Sequence, residues 1–85
     1  MKPVQIYTTS YCGYCRRAKQ LLNERQVPFE EIDCEGDEEK RRWLVEVTGQ
    51  MTVPQIFIGG TSIGGYSELS ALDRSGKLRP MLEQP

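Results

Sequence analysis

The sequence has no histidine. A serine or cysteine nucleophile primed by imidazole, the helical zinc-protease motif and every His-ligated metal site are therefore excluded. No apolar run approaches the ~20 residues that a membrane-spanning helix needs. Aromatic residues make up only 8% of the 85 positions and hydrophobic residues 38%. A chain of this length is expected to fold as one domain, residues 1–85, around a small core. Eleven basic and twelve acidic residues leave a formal charge of −1. That balance gives no bulk attraction for nucleic acid or for an anionic membrane. Met1-Lys2-Pro3 leads directly into a strand-like segment, so no secretory leader is expected and the location read from the sequence is the cytoplasm.

The charge that is present is segregated. Lys2, Arg16, Arg17, Lys19 and Arg25 face only Glu24 within residues 1–28. Residues 29–40 then carry seven acidic groups, from Glu30 to Glu39, against Lys40 alone. Much of this is solvated surface, but the basic patch surrounds a cysteine pair, where it favours a thiolate and draws in anions.

Pro3 to Thr8 alternates β-branched and aromatic residues and reads as a strand. Gly13 to Gln26 changes to helical spacing, with Ala18, Leu21, Leu22 and Arg25 in phase. Pro28 stops that helix, and Phe29 to Asp33 reads as a second strand. Asp37 has the character of an N-cap, with Glu38 and Glu39 complementing the dipole of a second helix. Trp43, Leu44 and Val47 are expected to form its buried stripe, and Gly49 to end it. Gln55 to Ile58 and Thr61 to Ile63 flank Gly59-Gly60 as a hairpin. Ser67 is expected to cap a third helix carrying Leu69 and Leu72, before a last turn or short helix with Leu78, Met81 and Leu82. The order β-α-β-α-β-β-α predicts an α/β fold: a four-stranded mixed sheet with one parallel pair, flanked by helices.

Cys12-Gly13-Tyr14-Cys15 falls where the first strand gives way to the first helix. Unpaired N–H groups and the helix dipole stabilise negative charge there, so a thiolate at Cys12 is favoured and needs no histidine base. Cys15, one turn inside the helix, is expected to be more buried and less acidic, suited to resolving a mixed disulfide formed at Cys12. A closed zinc site would need four ligands, and only Cys34 remains. Cys34 lies between Asp33 and Glu35, acidic neighbours that raise a thiol's pKa, and reads as a small inert residue. Tyr14 is read as packing against a substrate; Tyr7, Phe57 and Trp43 are read as core.

Four segments, in order, resemble the glutaredoxin family of the thioredoxin-like fold: Ile6-Tyr7-Thr8, Cys12-Gly13-Tyr14-Cys15, Thr52-Val53-Pro54-Gln55-Ile56-Phe57-Ile58 and Ile63-Gly64-Gly65-Tyr66-Ser67-Glu68-Leu69. The resemblance covers nearly the whole chain. It implies that Cys12 is the nucleophile, Cys15 the resolving thiol and the Val53–Pro54 bond cis. It further implies glutathione as co-substrate, pairing as an added strand with the backbone of Val53. Thr52, Val53, Pro54 and Gly65 would line its site with Tyr14, while Tyr66, Ser67 and Glu68 at a helix start would meet its γ-glutamyl carboxylate. Gly64 and Gly65 are read as permitting close backbone approach.

Two positions depart from the family pattern. Thr9 stands where many members have a lysine that meets the glycyl carboxylate, leaving Arg41 in the second helix to carry more of that load. Gly13 replaces the commoner proline. Some members with a small residue there bridge two subunits through a [2Fe–2S] cluster, using the nucleophilic cysteine and glutathione sulfur. The activity implied is reduction of protein–glutathione mixed disulfides and protein disulfides by a monomer. Its partners would be glutathione and glutathionylated or disulfide-bonded proteins, with no metal of its own. Alternatives are the cluster-binding dimer, with Cys12 as ligand, and a redoxin served by thioredoxin reductase.

Overall fold

Alternating apolar residues in Val4-Gln5-Ile6-Tyr7-Thr8 form β1 (Val4–Thr8), which turns into α1 (Gly13–Glu24) at the cysteine pair. The computed structural model describes residues 1–84. After α1 the chain reverses through Gln26, whose φ of 58° lies in the left-handed region. This brings Val27 N–H to the Leu22 carbonyl at 2.8 Å and starts the approach to β2 (Glu30–Asp33). Asp37 caps α2 (Glu38–Thr48), and Gly49 ends it with a φ of 71°, where a Cβ would be strained. Next come β3 (Gln55–Ile58), β4 (Thr61–Gly64), α3 (Tyr66–Arg74) and α4 (Leu78–Glu83).

The sheet runs β2-β1-β3-β4. β1 and β2 are parallel, as a β-α-β unit requires, while β1–β3 and β3–β4 are antiparallel. Because side chains alternate along each strand, the two faces fill differently. Ile6, Ile56 and Ile58 point to one face and pack with Ala18 and Leu22 of α1, Leu69 of α3 and Leu78 and Leu82 of α4. Burying each of the larger side chains contributes about 1.5–3 kcal/mol, so this layer holds most of the apolar stabilisation. Tyr7 and Phe57 point to the other face and meet only Cys34 and Leu44 as fully buried partners.

That thinner layer corrects the expected stripe of α2. Leu44 is buried, but Trp43 and Val47 are 43% and 47% exposed. Trp43 lies over the edge of the layer, its ring 5.9 Å from Phe57 and 5.6 Å from Tyr7. A helix resting on so few sheet side chains buries one of the three residues, Leu44. Arg25, in phase with the α1 stripe, is likewise solvent-facing: its guanidinium takes both carboxylate oxygens of Asp73, at 2.8 and 3.0 Å, and ties α1 to α3. The α3 cap also differs from expectation. Gly65 is the N-cap, and Ser67 sits inside the first turn. Glu68 reaches back from the third helical position to accept the N-cap Gly65 N–H at 2.6 Å, fixing the helix start two residues before Ser67.

Candidate active site

Cys12 occupies the N-cap of α1 with extended backbone angles, and its sulfur accepts the Cys15 N–H at 3.1 Å. Sulfur thus fills the role that Ser, Asp or Asn usually plays at a helix start. The arrangement aims the first-turn N–H groups and the positive end of the helix at the Cys12 sulfur. In its thiol form Cys12 donates to the Val53 carbonyl at 3.5 Å, across from the loop that precedes β3. The Val53 carbonyl is therefore partnered by the thiol. Tyr11, just before Cys12, is 94% exposed.

Cys15 is 1% exposed. Burial, followed by the hydrogen bond to Cys12, pushes its thiol up to about 12. The Thr9 backbone and the Lys19 charge pull the other way and are outweighed. The two sulfurs thus differ in position, one at a helix end against Val53 beside a cleft and the other in the core one turn later.

The cleft beside Cys12 measures about 250 Å³ and is lined by Tyr14, Gln50, Thr52, Val53, Pro54 and Gly65 to Glu68. Its two walls are the Thr52–Pro54 loop and the start of α3. The Val53–Pro54 peptide is cis. A Cβ at Gly65 would stand 3.1 Å from the Pro54 carbonyl oxygen, so glycine lets the walls meet, in keeping with the close approach read from Gly64-Gly65. Tyr14 forms the rim: it is 59% exposed, stacks on Tyr66 at 6.0 Å and carries the Arg17 guanidinium 5.5 Å above its ring.

Seven of the expected binding residues therefore share this cleft with Tyr14, whereas Thr9 and Arg41 do not. They line a separate, wider depression of about 560 Å³ with Cys34, Asp37 and Arg42. Arg41 donates through Nη2 to the Met51 carbonyl at 3.1 Å, which fastens α2 to the residue before Thr52. Cys34 is fully buried and donates to the Thr8 carbonyl at 3.1 Å. Its thiol is pushed up chiefly by burial; Arg41 opposes this, and the Asp33 charge, the expected cause, is a lesser contributor. Two glutamines escaped the sequence reading. Gln50 lines the cleft, and Gln55 lies beneath it at 1% exposure. Gln55 could have been noticed as an amide in the otherwise apolar Gln55-Ile56-Phe57-Ile58, where burial demands a partner.

Comparison with known proteins agrees with this geometry. The glutaredoxin family model matches residues 4–63. A glutaredoxin of Pseudomonas aeruginosa is 54% identical over 82 residues, which cover 96% of this chain and 98% of the relative. Glutaredoxin 3 of Escherichia coli is 46% identical, covering 98% of this chain and 100% of the relative. Among solved structures, a buckwheat glutaredoxin–glutathione complex superposes with a TM-score of 0.90 at 37% identity, over 95% of this chain and 76% of that one. A Brucella melitensis glutaredoxin in solution gives 0.88 at 44% identity, over 98% and 90%. With a cysteine capping the first helix, a β2-β1-β3-β4 sheet and relatives of this closeness, the chain belongs to the glutaredoxin family and is a thiol–disulfide oxidoreductase of thioredoxin-like fold.

Proposed function

We propose that the chain reduces protein–glutathione mixed disulfides, and protein disulfides, with glutathione as the electron donor. The observation that carries this reading is the Cys12 sulfur, held at the α1 N-cap and facing Val53 beside a cleft whose far wall is the start of α3. An extended thiol peptide could lay its backbone along Val53 and its carboxylate at the N–H groups of Tyr66 and Ser67. The buckwheat relative was solved with glutathione, which supports the same ligand here.

In the mixed-disulfide reaction the Cys12 thiolate attacks the glutathione sulfur. The S–S bond breaks, the target leaves as a thiolate that takes a proton from water, and Cys12 carries the glutathione. A second glutathione thiolate attacks that glutathione sulfur, releasing oxidised glutathione and returning Cys12 as a thiolate. For a protein disulfide, Cys12 attacks one target sulfur and the other leaves. Cys15 then loses its proton, attacks Cys12 and frees the target, leaving a Cys12–Cys15 disulfide for two glutathiones to reduce. Once Cys12 is in a mixed disulfide its negative charge is gone, which removes one of the causes that hold the Cys15 thiol protonated. Arg41, outside the cleft but fastened to Met51, acts on the glycyl end of the peptide only through the Thr52 loop or at long range. A monomer in the reducing cytoplasm suits this chemistry.

A [2Fe–2S] cluster would need ligands from beyond one chain, since among the described residues no group of three His, Cys, Asp or Glu side chains converges. The test is turnover of a glutathionylated protein by wild type and by Cys15→Ser, with glutathione as the only reductant. Both are expected to turn over; failure of both, with electrons accepted from thioredoxin reductase instead, would overturn the reading.

A further inference from the structure

The side-chain amide of Gln55 lies on the Tyr7 and Phe57 side of the sheet, since Gln55 pairs with Tyr7 across β1 and β3. Its Nε2 donates to the Thr52 carbonyl at 2.8 Å and lies 3.4 Å from the Thr52 hydroxyl. Its Oε1 is buried with no partner among the described residues. A buried acceptor left unsatisfied opposes folding, so Gln55 is a poor choice on stability grounds alone.

Its geometry has another consequence. The Thr52 carbonyl and the Val53 N–H belong to a single peptide plane, and that peptide is trans, the cis bond being the one after Val53. In a trans peptide the carbonyl and the N–H point in opposite directions. With the carbonyl held inward by a buried amide, the Val53 N–H is turned outward, toward the cleft that Thr52, Val53 and Pro54 line. No described acceptor takes that N–H. We infer that Gln55 is a positioning residue: by gripping the Thr52 carbonyl it presents the Val53 N–H as the donor that an extended thiol peptide pairs with. The inference rests on the glutathione reading above.

Gln55→Met keeps the length and removes both the grip and the orphaned acceptor. The Michaelis constant for a glutathionylated substrate should rise roughly tenfold with the turnover number little changed, as when a binding hydrogen bond is lost. The thermal midpoint should stay level or rise, because the unsatisfied oxygen is gone. Alkylation of Cys12 by iodoacetamide, which needs no peptide pairing, should keep its wild-type rate and pH profile. A merely structural role predicts a lower midpoint and an unchanged Michaelis constant, and that result would overturn the inference. Wild-type protein gives a second readout. One Gln55 side-chain amide proton should exchange more slowly than those of the exposed Gln50, and the Val53 amide signal should shift on adding S-methylglutathione. Fast exchange at Gln55 with an unmoved Val53 signal would overturn it equally. If wild type itself fails to use glutathione, the broader reading falls; if wild type works and Gln55→Met matches it, only the role of Gln55 does.

Discussion

The junctions β1–α1 and β2–α2 are built alike and behave differently. Their strands lie side by side and parallel, so both helices begin at the same end of the sheet. Each helix is capped by a side chain that accepts the N–H three residues on: Cys12 sulfur from Cys15 at 3.1 Å, and Asp37 carboxylate from Lys40 at 3.0 Å. Each junction also carries a cysteine. Cys12 is the cap itself, partly exposed and facing Val53 beside a cleft, whereas Cys34 lies three residues before its cap, buried and bonded to Thr8. A thiol near a helix start is not enough. It has to be the capping atom, because only there do the free N–H groups and solvent reach the same sulfur.

The sharpest way to break this comparison is to exchange the two thiols for inert groups. Cys12→Ser should lower glutathione-dependent turnover at least about a thousandfold, since a hydroxyl caps the helix but does not ionise near neutrality. Cys34→Ala should leave turnover within about twofold of wild type in the same coupled assay. Cys15→Ser should slow reduction of a protein disulfide at least about a hundredfold while sparing deglutathionylation, measured with two substrates side by side.

A pH series separates the thiols by burial. The Cys15 thiol is raised in the folded state, so its contribution to stability is complete below the ordinary thiol value of 9.0 and is lost as pH climbs toward about 12. Urea midpoints should therefore fall above pH 9, and Cys15→Ala should shallow that alkaline limb; Cys34, raised by burial too, adds a limb of the same sign. The smallest effect belongs to the acidic cap. Asp37→Ala should lower the thermal midpoint by roughly 5 °C, through loss of the bond to Lys40, with turnover unchanged. Because Asp37 titrates below its usual value in the folded chain, that difference should vanish as pH falls through the acid range below 4.

These two junctions also mark where sequence reading succeeds. Cys12 and Asp37 are recognisable as helix starts from local chemistry, and Gly49 and Gly59-Gly60 from the turns they permit. Local rules fail where a partner comes from elsewhere in the chain. The α3 cap went to Gly65 because Glu68 could reach back, a competition Ser67 loses only in three dimensions. Trp43 and Val47 are apolar at helical spacing, yet nothing in that spacing tells how little sheet surface Tyr7 and Phe57 offer them. Thr9 and Arg41 were placed with glutathione by resemblance; the structure sets Thr9, just after β1, and Arg41, on α2, together beside Cys34 in a second depression. Gln55 was visible as a strand residue but not as an anchor, since its partner is a backbone carbonyl.

The sulfur cap ties redox state to mechanical firmness. While Cys12 is a thiolate, it is a charged acceptor that completes the first turn of α1. Once it is joined to glutathione or to a target, the same atom is a neutral disulfide sulfur and a poor acceptor, so the loaded enzyme holds its leading turn with a weaker clasp. Under the proposed function the helix end should fray more readily when Cys15 attacks Cys12, and the amide of Cys15 should exchange faster in the glutathionylated protein than in the reduced one. A cycle of that kind would loosen and refasten the thread on which the second thiol hangs.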